Sequence, residues 1–286
     1  MRLLHDLATL LEMIKFQHSV FALPFALCGM LLAGHGWPGL ATIFWIVTAC
    51  VFARTAAMSF NRWADAAIDA KNPRTATRAI PAGKLSRNFA LGMTVLASAL
   101  FVVSAAMLNH LALWLSPVAL LVLLGYSYTK RFTSASHFVL GLALGIAPAG
   151  AWIAVRGSLD LPPVLLSAAV LTWTAGFDLI YACQDYEFDR AHGLYSIPAR
   201  FGLRWALRLS ALLYLSTVLL LIAVGVVMHL GGWYYLGVGL VAALLTIEHL
   251  IVDPRDPAKI HTAFFTVNSW VGLVLFVFCC LDVFLK

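Results

Sequence analysis

Charge is what this sequence lacks. Only 11% of its 286 residues are Asp, Glu, Lys or Arg, while 62% are hydrophobic and the mean hydropathy is +0.90. A soluble domain carries about a quarter charged residues, so the composition places this chain in a bilayer. Cysteine is sparse too. Cys28, Cys50, Cys183, Cys279 and Cys280 mostly lie inside apolar runs and form no CxxC pair, which argues against disulfides and a zinc site. No cleavable signal is expected at the N-terminus, because Asp6, Glu12 and Lys15 interrupt any short apolar region there, and Met1 is read as part of the mature chain. Low-complexity stretches and Gly/Ser linkers are missing as well, so residues 1–286 read as a single domain.

What the sequence has is apolar length. A spanning helix needs roughly 20 mostly apolar residues, and such runs recur near 16–34, 39–60, 88–108, 111–128, 137–155, 162–183, 207–229, 233–251 and 262–284. The expected fold is an all-α integral membrane protein, nine transmembrane helices in one bundle. With the N-terminus in the cytoplasm, the N-terminal segment and the even-numbered connections collect every Lys and Arg except Arg54, Arg156 and Lys286. That distribution obeys the positive-inside rule and puts the C-terminus outside. It also explains the net charge of +6 without a nucleic-acid partner. The longer connections lie on the same side, so a cytoplasm-facing active-site cavity in the inner membrane is expected.

The few acids are not scattered. The second run ends in Asn61-Arg62-Trp63-Ala64-Asp65-Ala66-Ala67-Ile68-Asp69, with Asn61, Asp65 and Asp69 each one helical turn apart. The sixth ends with Asp178, Tyr181, Asp185 and Asp189, whose offsets of 7 and 11 from Asp178 return to nearly the same helical face. Carboxylates one turn apart near a bilayer repel each other and lose hydration, a cost that a hard divalent cation relieves. Oxygen ligands favour magnesium, which takes one or two carboxylates and completes its shell with waters and substrate phosphates. Two acidic sets therefore point to Mg2+ holding a diphosphate, with Asn61, Asp65, Asp69, Asp185 and Asp189 as ligands. Arg74, Arg78, Lys130 and Arg131, in neighbouring connections, are the candidates for phosphate oxygens.

These motifs resemble the UbiA superfamily of membrane prenyltransferases over almost the whole chain. The NxxxDxxxD signature matches Asn61, Asp65 and Asp69; the RTxxRxxPxG run matches Arg74, Thr75, Arg78, Pro81 and Gly83; and DLIYACQDYEFD resembles the DTxYAxxDxxxD of 4-hydroxybenzoate polyprenyltransferases, aligning Asp178 and Tyr181. The resemblance implies a magnesium-dependent transfer of a polyprenyl chain from a polyprenyl diphosphate to an aromatic acid acceptor on a quinone pathway. The segment from Ile14 through His18 to Pro24 resembles the futalosine-route menaquinone subgroup, whose acceptor is a dihydroxynaphthoate. Arg62 stands where the family often has an acid, and Tyr195 where it has a lysine, a contact assigned to Arg200 or His192 instead. Arg54, seven residues before Asn61, is expected either to receive the acceptor's carboxylate or to pair with Asp178. Tyr126 and Tyr128, in the run that leads to Lys130 and Arg131, sit near the diphosphate or form an interfacial belt. His18, His192 and Glu248 read as interfacial or packing residues. Haem- or chlorophyll-type acceptors and, from another class, a secondary transporter are the alternatives.

Overall fold

The structure, a computed structural model, describes residues 9, 10, 12, 22–254 and 256–285. The segment around His18, the first part of the expected span at 16–34, and Lys286 lie outside the described residues. Among the described residues there is no strand. The helices are α1 (Leu23–Gly34), α2 (Leu40–Asp69), α3 (Arg87–Ala106), α4 (His110–Thr129), α5 (Ser136–Arg156), α6 (Leu161–Ala182), α7 (Tyr186–Ala191), α8 (Ile197–Phe201), α9 (Leu203–Val227), α10 (Gly232–Ile251), α11 (Pro257–Thr262) and α12 (Asn268–Phe284). A single 3-10 turn, Cys183–Asp185, joins α6 to α7, and a π-turn, Ala263–Val267, joins α11 to α12.

Seven stretches among the described residues are long and apolar enough to cross a membrane, and α1 and α12 are shorter apolar helices. Helices suit this solvent because they satisfy every backbone donor and acceptor internally, which hydrocarbon cannot do. The outward side chains agree: large apolar residues such as Leu40, Trp114, Leu121 and Leu250, at 85%, 77%, 74% and 76% exposed, recur along the spans, an extent of apolar surface that suits lipid. α2 runs well past residue 60, the expected end of the second span, to Asp69. This extension makes Asn61, Asp65 and Asp69 part of one continuous helix.

Chain neighbours pack on one another around the bundle, α2 on α3, α3 on α4, α4 on α5, α5 on α6, α6 on α9, α9 on α10 and α10 on α12, while α1 returns to both α12 and α5. α6 is the most enclosed span, with Leu166, Ala169, Val170, Trp173, Leu179 and Ile180 all buried. Between helices in lipid there is little hydrophobic drive, so close approach relies on small residues and van der Waals contact. α5 supplies them: a Cβ on Gly141 would collide with the Leu171 carbonyl, and one on Gly145 would lie 2.7 Å from the Ser167 oxygen. The two glycines, four residues apart, seat α6 directly against the α5 backbone. Gly29 of α1 meets the backbone of Pro148 in the same way.

Candidate active site at one end of the bundle

The loop after α2, the C-terminal end of α4, the first turn of α5 and the α6–α8 segment meet at one end of the bundle, and they bring nearly all the expected site residues together. Asp65 accepts from Asn61 Nδ2 at 2.9 Å through Oδ2 and from Arg131 Nη2 at 2.9 Å through Oδ1. Arg131 also donates to the Ala64 carbonyl at 2.8 Å and lies 4.7 Å over the Tyr128 ring. Asp69, buried at the end of α2, straddles Arg78 Nη1 with both oxygens at 2.8 Å. Its backbone carbonyl accepts from Thr75, which folds the loop back onto the helix end.

Asp185 is gripped from that same loop. Arg74 donates Nε to Oδ1 at 2.9 Å and Nη2 to Oδ2 at 2.6 Å, Asn72 donates to Oδ1 at 3.0 Å, and the remaining Arg74 nitrogen, Nη1, reaches the Tyr181 hydroxyl at 2.9 Å. Burial disfavours the Arg74 charge, but the bonds to Asp185 outweigh it and leave the guanidinium more firmly protonated than usual. Asp189, whose side chain is fully buried, meets Lys130 Nζ at 2.8 Å. Each of the four motif aspartates thus has its own cation, and the adjacent Lys130 and Arg131 divide between the two motifs.

The second acidic set is spread over three consecutive elements. α6 ends at Ala182, and the tighter 3-10 turn rotates the chain beyond it, so Asp178 lies on α6, Asp185 in the turn and Asp189 on α7. Asp178 takes a different kind of partner, His137 Nδ1 of α5 at 2.7 Å. Arg54 lies about two turns deeper on α2 than Asn61, partly buried. Neither residue assigned to replace the missing lysine is engaged with the acids by the contacts seen: Arg200 lies 5.5 Å over the Tyr195 ring, and His192 Nδ1 is 3.0 Å from the Phe188 carbonyl. Arg62, in the place of an acid, donates to Asn61 Oδ1 at 3.3 Å. Glu248 is buried and bonded to Asn268 at 2.8 Å. Sequence reasoning missed His137, Asn72 and Ser127, whose hydroxyl lies 3.5 Å from Asn61 Nδ2. Asn72 had a signal in its place between Lys71 and Arg74, but His137 had none, since 41 residues separate it from Asp178.

The model of the UbiA prenyltransferase family matches residues 22–270. The chain belongs to that family. It is 36% identical over 245 residues to a 4-hydroxybenzoate octaprenyltransferase of Edwardsiella ictaluri, covering 86% of this chain and 85% of that one. A relative of the same name from Serratia proteamaculans is 35% identical over 249 residues, covering 86% and 84%. Among solved structures, the apo form of a UbiA homologue from Aeropyrum pernix superposes with a TM-score of 0.85 at 35% identity, covering 93% of this chain and 98% of that one. A UbiA homologue from Archaeoglobus fulgidus bound to DMAPP and Mg2+ shares the fold, with a TM-score of 0.72 at 20% identity, covering 95% and 99%. The protein is a multi-pass membrane prenyltransferase.

The donor set fits a divalent metal brought with substrate. Among the described residues no three His, Cys, Asp or Glu side chains converge into a protein-only cage. Magnesium is ordinarily held by one or two carboxylates with phosphate oxygens completing its shell. Four aspartates and Asn61, gathered at one end and each aspartate charge-balanced by a long cation, are donors of that kind.

Proposed function

We propose that this protein transfers a polyprenyl chain from an allylic polyprenyl diphosphate to an aromatic acid on a quinone pathway, either 4-hydroxybenzoate or 1,4-dihydroxy-6-naphthoate. The observation that carries the reading is the set of four aspartate–cation pairs at one bundle end, drawn from both acidic motifs and the intervening loops. Asn61, Asp65 and Asp69 would hold magnesium on one side of the diphosphate, and Asp185 and Asp189 on the other. When bound, magnesium supplies Lewis-acid stabilisation of the charge that builds on the departing diphosphate.

The residues of this chain do the rest. Arg74, Arg78, Lys130 and Arg131, which pair with the acids, would offer their N–H groups to the phosphate oxygens where the acids hold metal. Guanidinium forks suit that recognition, since they bind carboxylate and phosphate with the same geometry. Arg54, deeper on α2, receives the acceptor's carboxylate, and Tyr181 steers Arg74 through its hydroxyl. The apolar bundle accommodates the prenyl chain and keeps water from the allylic cation. A nine-span topology supports this arrangement, with α1 and α12 as the first and last spans, the site facing the cytoplasm of the inner membrane, the N-terminus inside and the C-terminus outside. A transporter would place its ionisable groups near the bilayer midplane, whereas these acids lie at helix ends.

The test is transfer by the purified protein in lipid with Mg2+ and a polyprenyl diphosphate, offering each acceptor separately beside Asp65→Asn and Asp185→Asn. Product from one acceptor that depends on both carboxylates supports the reading and chooses the pathway. Absence of product from either, in folded protein, overturns the quinone assignment.

A further inference from the structure

The two motifs place five aspartates at this end of the bundle, and four of the five are paired with Arg or Lys. Asp178 is the exception. Its partner His137 is 3% exposed and sits in the first turn of α5, where the positive end of the helix dipole opposes an imidazolium. The backbone N–H of Ile197, at the N-terminus of α8, points to His137 Nε2 at 3.3 Å. A nitrogen that accepts carries no proton, so the ring's single proton is on Nδ1 and is donated to Asp178 Oδ2 at 2.7 Å. With Nε2 accepting, the imidazole is the donor of this pair. It orients the carboxylate without cancelling its charge, as Arg or Lys would.

Asp178 is also the accessible group on its stretch of α6. From Trp173 to Ile180 every residue is buried except Asp178, whose side chain is 23% exposed, and Tyr181, one turn further along the same face, is likewise partly open. Tyr181 is bonded to Arg74, which holds Asp185. Asp178 is thus accessible on the α6 face that also carries Tyr181, through which Arg74 leads to Asp185, while it shares none of the four aspartate–cation pairs. α5 and α6 approach closely enough for this contact because Gly141, one turn after His137, lets the α6 backbone in.

We propose that His137 is a positioning residue, holding Asp178 as an ionised proton acceptor for the phenolic hydroxyl of the aromatic substrate. The inference rests on the aromatic-acceptor reading above. The C1–O electron pair leaves with diphosphate, and the phenolic proton passes to Asp178 as the ring carbon bonds to C1 of the resulting allylic cation. The ring carbon then loses its hydrogen as a proton to diphosphate, and the oxygen recovers its proton from Asp178, restoring the aromatic phenol.

The experiment compares His137→Asn, His137→Gln and His137→Leu in lipid, using a series of ring-fluorinated acceptors of increasing phenol acidity, with thermal stability measured for each variant. An asparagine amide nitrogen replaces Nδ1, whereas glutamine places its amide where Nε2 was. A positioned general base contributes about 100- to 10,000-fold, and a partner that only orients it supplies a part of that, about 10- to 100-fold. His137→Gln should lose that much in kcat at nearly unchanged KM for the prenyl diphosphate, the deficit should shrink as the phenol becomes more acidic, and His137→Asn should recover most of the rate. Wild-type turnover by His137→Gln, a deficit indifferent to phenol acidity, or an equal deficit in His137→Asn would overturn the proposal. A wild-type protein that prenylates no phenolic acceptor overturns the functional reading itself, and this inference with it.

Discussion

If Arg74 neutralises Asp185 until metal arrives, removing it must affect the metal-free and the metal-bound protein in opposite ways. Arg74→Met takes away two charge-assisted bonds, at 2.9 and 2.6 Å, and leaves Asp185, 7% exposed, with only the Asn72 amide at 3.0 Å. Bonds to a charged group contribute about 1.5–3 kcal/mol each. The Arg74 side chain is 30% exposed and partly screened, so the low end applies, about 3 kcal/mol in total. Metal-free Arg74→Met should lose that much stability. The same interaction competes with magnesium for Asp185, and about 1.4 kcal/mol is one decade of affinity, so Mg2+ should bind the variant up to ~100-fold more tightly and restore more stability to it than to the wild type. Transfer should nevertheless slow, because a phosphate ligand is gone. Thermal unfolding in nanodiscs with and without Mg2+, together with calorimetric titration of Mg2+, reads both halves. A variant as stable as wild type without metal, binding Mg2+ no more tightly, would refute the idea that the arginine and the metal alternate on one carboxylate.

Asp65→Asn should reduce transfer by more than about 100-fold by removing a metal ligand, yet stay folded, since Arg131 keeps its bond to the Ala64 carbonyl; near-normal turnover in a transfer assay would contradict the ligand assignment. Tyr181→Phe removes one bond to Arg74 and leaves the bidentate contact with Asp185, so an effect of about 1 kcal/mol, or several-fold in KM for the donor, is expected from steady-state kinetics. At the opposite end, Asp282 accepts from the N–H groups of Gly231 and Tyr234 at 2.8 and 3.3 Å and so caps α10. Asp282→Ala should cost about 1–2 kcal/mol in thermal unfolding without altering kcat.

Much of this could be read in the sequence because its signals are periodic. Apolar runs announce the helices, and four-residue spacing aligned Asn61, Asp65 and Asp69, since α2 continues unbroken through all three. For Asp178, Asp185 and Asp189 the same arithmetic runs across a helix end. It assumed a uniform helix, and nothing in Tyr181-Ala182-Cys183-Gln184 marks the 3-10 turn that redirects the last two. The partner of each acid was less legible still. Lys130 and Arg131 are adjacent in sequence yet serve opposite motifs, a division that depends on how α4 ends between α2 and α7. His137 was silent, because a single histidine at a helix start becomes a carboxylate partner only when another helix is packed against it.

That dependence yields one more prediction, which separates packing from chemistry. The His137–Asp178 contact exists because Gly141 and Gly145 admit α6 to the α5 backbone. At Gly141 an added Cβ meets the carbonyl of Leu171, which is backbone and cannot swing aside. Gly141→Ala should therefore push the two helices apart and lengthen the contact, while the pairs on Asp65, Asp69, Asp185 and Asp189, none of which involves α5, persist. The expected phenotype is a fall in kcat with the aromatic acceptor resembling that of His137→Gln, with magnesium affinity unchanged, plus a stability loss of about 1–3 kcal/mol from overpacking. Adding His137→Gln to Gly141→Ala should then reduce kcat little further, because both act through the same bond. Full additivity in that double-mutant cycle would mean that the glycine and the histidine reach the active site by separate routes.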